Sequence, residues 1–184
     1  MSTITKMQTT DSQKGAATLV RTCGRLKAGE AALVIANPET KDVADLVAAE
    51  ARAVTDRVDL AVEPSAAMHG AEPGAETAAK MAQADVIFCL TSKSLAHSAA
   101  RKAASDAGAR YLSLADYSMA QLESPALDFD FSTLAETVER LGRAFDEGEA
   151  VRITTPLGSE VAFSIKGRSG NRAPGYVEKG GELS

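Results

Sequence analysis

The chain of 184 residues is long enough for one globular domain with a small appendage, and 45% of its residues are hydrophobic. Its net charge of −5 argues against nucleic-acid binding, which needs a basic face. No apolar run approaches the length of a membrane helix, so the sequence predicts no membrane association and a cytoplasmic protein.

Short apolar runs alternate with helical patterns over the first two thirds of the chain. The helical spacing predicts helices over 12–26, 41–54, 75–83, 95–107 and 118–123. The apolar runs predict strands over 31–36, 57–62, 85–90 and 110–114. Such alternation is typical of a parallel sheet that is covered on both faces. The sequence therefore predicts an α/β fold, a doubly wound and mainly parallel sheet of about four strands with helices on both faces.

The last third of the chain changes character. A long amphipathic helix is predicted over 132–146, and two runs of alternating apolar and polar residues, 151–156 and 159–165, predict a C-terminal β-hairpin. The predicted organisation is a flexible N-terminus, a Rossmann-like α/β domain, a hairpin and a polar tail, over 1–11, 12–148, 149–166 and 167–184. The tail shows no periodicity, so we expect it to be disordered in part or ordered only by a partner.

Polar residues follow the carboxyl ends of the first three predicted strands. Ligands of open parallel sheets bind at this edge, near the point where the strand order reverses. The chain's two histidines both fall in or beside these loops. The sequence therefore predicts a peptide- or substrate-binding crevice, unless the loops are polar only because they are solvated. Its candidate residues are Asn37, Thr40, His69, Glu72, Thr91, Lys93, Ser94, His97 and Arg101.

Sequence signatures of catalysis are absent from this chain. It has no glycine-rich dinucleotide or phosphate loop, no HExxH motif and no GxSxG elbow. The cysteines Cys23 and Cys89 lie on apolar faces of predicted elements, which favours buried thiols over ligands or a disulfide. We therefore predict no catalytic residue, no bound metal and no cofactor.

Much of the chain resembles a known family. The run LVRTCGRLKAGEAALVIANPETKDVADLVAAEA resembles the opening of the aminopeptidase T-like metallo-aminopeptidases, and the resemblance continues through QADVIFCLTSKSLAHSAARKAA and EAVRITTPLGSEVAFSIKGR. The architecture is also similar to that of the iron-dependent dihydroxypyridine ring-cleaving dioxygenases. In both families the resemblance implies metal ligands in a second domain beyond the hairpin. It transfers to this chain only a contribution to the crevice, best matched at Lys93, Ser94 and His97.

Three hypotheses follow from this resemblance. In the first, the chain is a non-catalytic peptide-binding protein, similar to accessory proteins that present a ribosomal precursor peptide to modifying enzymes in natural-product pathways. In the second, it is the N-terminal half or a subunit of an enzyme whose metal domain lies on another polypeptide. In the third, it is a fragment of a full enzyme of this kind.

The first hypothesis makes the hairpin a binding edge. An extended peptide can add to an unpaired strand, with side-chain pockets supplying specificity. The candidate edge residues are Arg152, Ile153, Thr154, Val161 and Phe163. Apolar surface once covered by a second domain should also promote association, so we predict a two-fold symmetric homodimer.

Overall fold

Seven strands and six α-helices are found in residues 11–178 and 180–183, which the computed structural model describes. The predicted flexible N-terminus lies outside these residues except for Asp11. The helices are α1 to α6, over Asp11–Ala17, Lys41–Arg52, Ala75–Met81, Ala99–Asp106, Met119–Leu122 and Phe131–Glu147. The strands are β1 to β7, over Ala32–Ala36, Val58–Val62, Val86–Leu90, Arg110–Ser113, Ala150–Thr154, Glu160–Ser164 and Glu182–Leu183.

The chain divides into two compact units. The first, here called the sheet unit, comprises Met1–Phe129 with Tyr176–Ser184, and the second, the hairpin unit, comprises Asp130–Gly175. Helix α6 therefore groups with the hairpin, whereas the sequence pattern placed it with the sheet.

The sheet unit confirms the predicted α/β class. Its strands lie in the order β2-β1-β3-β4-β7, and every neighbouring pair is parallel. Helices α1, α2 and α5 contact one another, and α3 contacts α4. Right-handed crossovers place α2 on one face and α3 on the other, because the chain reverses direction after β2. The sheet is thus doubly wound, and its strand order reverses between β1 and β3.

The core is aliphatic, as the low aromatic content predicts. Strands β1 and β3 are buried along their whole length, which explains their unbroken apolar runs. Phe88 and Tyr111 are its largest fully buried side chains. Cys23 and Cys89 are both buried and unpaired, which confirms the prediction of buried thiols. Burial raises the pKa of Cys23 to about 11, so this thiol is protonated at neutral pH.

The C-terminal residues depart from the prediction. Val177 is buried and its N–H donates to the Cys23 carbonyl at 2.8 Å, while the guanidinium of Arg25 lies 3.9 Å from the ring centre of Tyr176. The chain then forms β7, which adds a fifth strand beside β4. The described residues of the tail from Tyr176 onward are therefore held by the sheet unit, while those before Tyr176 belong to the hairpin unit. Two residues are too few to show a strand pattern, so the sequence gives no sign of β7.

The predicted first helix consists of two segments with different helical geometry. Helix α1 is followed by a π-helical turn over Thr18–Cys23. The apolar residues of both segments still face the core, because Ala16, Leu19, Val20 and Cys23 are all buried. Among the described residues, no helix is both long enough and apolar enough to cross a membrane.

Candidate functional site

One asparagine joins the loops at the point where the strand order of the sheet reverses. Asn37 follows β1 and is 1% exposed. Its Nδ2 donates to the carbonyls of Glu63 and Pro64, at 2.9 and 3.2 Å, in the loop after β2. Its Oδ1 accepts from the backbone N–H of Ser92 at 2.7 Å and from the Ser92 hydroxyl at 3.0 Å, in the loop after β3. One side chain thus joins three loops at the carboxyl edge of the sheet.

Asn37 is itself held by a reciprocal cap. Thr40 is buried, and its hydroxyl accepts the backbone N–H of Asn37 at 3.0 Å, while the Asn37 side chain accepts from the backbone N–H of Thr40. This is the capping box expected where a polar residue precedes a helical turn. The sequence AsnProGluThr (37–40) therefore positions the Asn37 side chain, which we call the brace because it joins the three loops.

An exposed carboxylate extends the same network. Glu39 accepts the hydroxyl of Ser65 at 2.6 Å and lies 2.8 Å from the hydroxyl of Ser92, whose single proton it shares with Asn37 Oδ1. The hydrogen bond from Ser65, then that of its own backbone and that from Ser92, lower the pKa of Glu39 below its usual 4.5, with a smaller contribution from the charge of Lys93. The interaction favours the folded protein above pH 4.5 and is lost as the pH falls through the lowered pKa.

Replacing Ser65 should raise the pKa of the Glu39 carboxyl group. In Ser65→Ala we expect the pKa of Glu39 to rise towards 4.5, because the largest of the hydrogen bonds that stabilise its charged form is gone. An NMR pH titration of the Glu39 side chain measures this directly. Glu76 is the internal control, since its pKa is lowered by Lys80 and should not move. An unchanged Glu39 titration in the variant would contradict the contact.

The long loop between β2 and α3 is fastened at several points. The carboxylate of Glu63 accepts from Gly74 N at 3.0 Å and from the Thr77 hydroxyl. Glu72 accepts from the N–H groups of Ala99 and Ala100, at 2.5 and 3.2 Å, and so caps the N-terminus of α4. The loop is therefore bonded both to the helix that follows it and to α4.

His69 joins this loop to the one after β3. Its Nδ1 accepts from Ser94 N at 3.1 Å, and Gly70 N donates to the Ser94 carbonyl at 2.7 Å. Gly70 has φ +81° and lies against His97, so a side chain there would be strained. A neutral imidazole that accepts at Nδ1 carries its proton at Nε2, so the exposed ring of His69 keeps one donor.

The loop after β3 is held internally as well. The hydroxyl of Thr91 donates to the Lys93 carbonyl at 2.7 Å and lies 3.3 Å from the Cys89 sulfur. The hydroxyl of Ser94 lies 3.1 Å from that of Ser113 and accepts from Ala96 N. The hydroxyls of Thr91 and Ser94 are therefore engaged with the backbone of their own loop and with side chains of β3 and β4.

Two candidate residues lie elsewhere than predicted. Helix α4 begins at Ala99, not at residue 95, because the Ser98 hydroxyl accepts Arg101 N at 3.1 Å and caps the helix there. His97 therefore precedes the helix and does not share a helical face with Arg101. The Arg101 Nε donates to the Ala96 carbonyl at 2.5 Å, and its guanidinium lies 6.0 Å from the Tyr111 ring centre.

The resulting cavity is small. Asn37, Glu72, Thr91 and Lys93 line a space of about 20 Å³ together with residues of the loop after β2. That volume holds about one water molecule. Four of the nine predicted crevice residues line this cavity, and the side chains of Asn37, Glu72 and Thr91 are engaged with the surrounding loops and with the N-terminus of α4.

Some members of the network were not predicted. Glu39, Glu63, Ser65, Ser92 and Ser98 each hold a loop or helix end. Ser98 could have been found from its position before a helical pattern. The pairing of Glu39 with Ser65 joins residues 26 apart and has no local signal.

The predicted binding edge lies in the hairpin unit. Strands β5 and β6 pair antiparallel, with Val151 opposite Phe163 and Ile153 opposite Val161. These four side chains share one face, and the last three are about half exposed. The side chain of Arg152 forms an ion pair with that of Glu160 across the strands at 2.8 Å. In the register of the hairpin, Thr154 lies opposite Glu160. The hairpin thus presents an apolar face.

The residues present do not fit a metal centre. Within the described ranges, no three His, Cys, Asp or Glu side chains are grouped so that they could hold one ion. The Nδ1 of His69 already accepts a hydrogen bond, and the carboxylates of Glu63 and Glu72 bind backbone N–H groups. The iron that the resemblance implies therefore finds no ligand set in this part of the chain.

These features define a doubly wound α/β domain whose loops are joined by hydrogen bonds at the point of strand reversal. Residues 15–184 match the family of NicX, 2,5-dihydroxypyridine 5,6-dioxygenase, and the chain belongs to that family. Its fold is similar to the solved structure of 2,5-dihydroxypyridine dioxygenase from Pseudomonas putida KT2440, with a TM-score of 0.65 and 12% sequence identity.

The extent of this match matters. It covers 84% of this chain but 46% of the solved dioxygenase chain, so this chain spans about half of that protein's length. No curated protein matches the sequence. The predicted relation to the dioxygenases is confirmed at the level of family, while the relation to aminopeptidase T-like enzymes stays a prediction.

Proposed function

We propose that this chain is the substrate-side α/β half of a hydroxypyridine dioxygenase-like enzyme and acts with a second, metal-bearing half. The main support for the proposal is the length of this chain relative to the solved dioxygenase. The family match runs over residues 15–184, yet the chain spans 46% of the solved dioxygenase. The second half would be supplied by a longer form of the same polypeptide or by another one.

In this proposal the carboxyl edge of the sheet forms one wall of the substrate site. The oxygen atoms of a hydroxypyridine accept hydrogen bonds, and more strongly when a hydroxyl is ionised. Lys93, beside the small cavity, and the Nε2–H of His69 are donors suited to them. The braces through Asn37 and Glu39 would keep these donors in place, which limits the ordering that binding must achieve.

The size of the cavity supports the proposal of a second half. A cavity of about 20 Å³ cannot enclose a six-membered ring, whereas small-molecule sites usually bury most of their ligand. The opposite wall must then come from elsewhere. Active sites between two domains are common for this reason.

Purification from the cells that encode the chain tests the proposal. A tagged chain expressed at its natural level should be recovered with a metal-bearing polypeptide of the same family, or should extend into one. Mass spectrometry and iron analysis of the recovered material give the answer. The reading frame beyond Ser184 tells the two arrangements apart. Recovery with neither a family partner, nor an extension, nor iron would overturn the proposal.

A second candidate function rests on the hairpin. We propose as the alternative that an extended peptide, such as a ribosomal precursor peptide presented to modifying enzymes, adds to its edge. The supporting observation is that β5 and β6 pair only with each other among the described residues and leave Ile153 and Val161 half exposed. Each main-chain hydrogen bond gained would contribute about 0.5–1.5 kcal/mol, so five or six together with a side-chain pocket could reach micromolar affinity.

A proline in this edge distinguishes the two candidates. If the edge binds peptide, Thr154→Pro should abolish binding of peptides encoded beside the gene, because the N–H of Thr154 points to the free edge of β5 and proline removes it. Isothermal titration calorimetry measures the loss, and Leu157→Ala in the turn is the control that should bind normally. Failure of every such peptide to bind the unaltered protein would remove the peptide hypothesis and leave the enzyme-half proposal untouched.

A further inference from the structure

One edge of the five-stranded sheet is unpaired over residues 11–178 and 180–183. Strand β7 covers β4 at one end of the sheet, whereas β2 is the last strand at the other end and pairs only with β1. Asp59 and Val62 on β2 are exposed, and Val58 and Leu60 are partly buried. An unpaired strand edge is a template for pairing with a further strand.

The register of β1 and β2 determines which backbone groups face this edge. Ala32 N donates to the Arg57 carbonyl, and Glu63 N donates to the Ala36 carbonyl. In a parallel pair every second residue bonds to the same neighbour, so the odd-numbered residues from 57 to 63 bond to β1. The N–H and C=O groups of the even-numbered residues therefore point to the free edge: Val58, Leu60 and Val62.

One antiparallel register pairs all three of these residues with a second copy of β2. Leu60 then lies opposite Leu60 of the other copy, at a two-fold axis, and Val58 lies opposite Val62 on either side of the axis. Each of the three opposite pairs exchanges two hydrogen bonds. Their side chains share one face of the sheet and are all apolar, which favours cross-strand packing.

The odd-numbered residues are compatible with the same register. Asp59 lies opposite Ala61 of the other copy, and Arg57 lies opposite Glu63, which has the opposite charge. Both charged side chains already make hydrogen bonds within their own copy, so this pair adds charge complementarity rather than a new bond. The sequence of β2 is therefore complementary to itself on both faces.

Other registers are less favourable. Opposite residues must both point to the shared edge, so the register can shift only in steps of two residues. A step in one direction places Asp59 opposite Asp59 of the other copy, and a step in the other direction places it opposite Glu63. Like charges directly opposite each other destabilise a sheet. Each step also leaves Val58 or Val62 without a partner in β2.

We propose that β2 pairs with β2 of a second copy of this chain, antiparallel across a two-fold axis at Leu60, so that the two sheets become continuous. Two-fold pairing is the commonest closed arrangement, and it uses the same surface of both copies. Pairing of two short strands buries less area than a standard interface, so we expect a reversible dimer with micromolar affinity. The pairing involves only the sheet unit and does not depend on the proposed second half.

A proline at the free edge tests the proposal. In sedimentation velocity over a micromolar to submillimolar range, the unaltered chain should dimerise, and Val62→Pro should weaken dimerisation at least about tenfold. The expected cause is that symmetry removes two hydrogen bonds at once. The fold should tolerate this proline, because the N–H of Val62 does not bond to β1 and its side chain is 47% exposed. Val62→Ala keeps the N–H and is the control that should remain dimeric.

Cysteine cross-linking tests the register, and it decides alone if circular dichroism shows the proline variant unfolded. Opposite residues of a hydrogen-bonded antiparallel pair have Cα atoms about 5.5 Å apart, which is within disulfide reach. Leu60→Cys should therefore give a disulfide-linked dimer on oxidation. Val58→Cys should not, because residue 58 of the second copy lies about 14 Å further along the strand. Cys23 and Cys89 are buried and should not compete.

Three outcomes would overturn the pairing. The first is an unaltered chain that is monomeric at every concentration, and the second is a Val62→Pro protein that folds and dimerises normally. The third is a dimer that cross-links through Val58→Cys but not through Leu60→Cys. None of these results would affect the proposal of an enzyme half, which depends on iron and on a second polypeptide or an extension of this one.

Discussion

Asn37→Ala should destabilise the sheet unit by about 3–5 kcal/mol, because it leaves two carbonyls and one N–H without their partner at a buried position. Each such group costs about 1–3 kcal/mol, and the whole domain is stable by about 5–15 kcal/mol. We therefore expect a fall in melting temperature of about 10 °C, measured by calorimetry or by denaturant unfolding.

The matched control lies two residues further on. Glu39→Ala also removes hydrogen bonds from this network, but its side chain is exposed and its hydroxyl partners can turn to water. The loss of stability in Glu39→Ala should therefore be much smaller than in Asn37→Ala. If Asn37→Ala were as mild as this control, the three loops would not depend on the brace.

Gly15→Ala should be the second strongly destabilising change. Alanine is normally favoured over glycine in a helix by about 1 kcal/mol. At this position, however, an added Cβ would lie 1.9 Å from the Leu122 carbonyl oxygen, and backbone cannot rotate away as a side chain can. Helices α1 and α5 would have to separate, so we expect a net loss of about 2–3 kcal/mol.

The adjacent residue provides the comparison. Lys14 lies on the exposed side of the same helix, and Lys14→Ala should change stability by less than about 0.5 kcal/mol. Chemical denaturation of both variants measures the difference. A Gly15→Ala protein more stable than the unaltered one would show that α1 and α5 do not approach so closely.

Much of the fold can be predicted from the sequence because burial leaves a pattern. Strands β1 and β3 are buried on both faces, so they appear as unbroken apolar runs. The start of α4 was predicted four residues too early, because Leu95 and Ala96 are buried in a loop and continue the helical spacing. The fifth strand β7 depends on contacts with distant residues and leaves no such pattern.

The location of the site could be predicted from the sequence, but the hydrogen bonds of its residues could not. The carboxyl edge of a parallel sheet brings its loops together whatever residues they contain. Whether those residues bind a ligand or one another depends on distances that the sequence does not encode. Asn37 shows this, since a polar residue after β1 indicated a ligand contact, whereas its side chain bonds two neighbouring loops and the backbone of Thr40.

Cleavage of 2,5-dihydroxypyridine is the measurement that tests the central claim most directly. Oxygen consumption and loss of substrate absorbance would be followed with added Fe(II), for the purified 184-residue chain and for the assembly recovered with its second half. The proposal predicts ring cleavage by the assembly and none by the chain alone. Turnover by the chain alone, or an iron-bearing assembly that leaves this substrate and related hydroxypyridines intact, would contradict it.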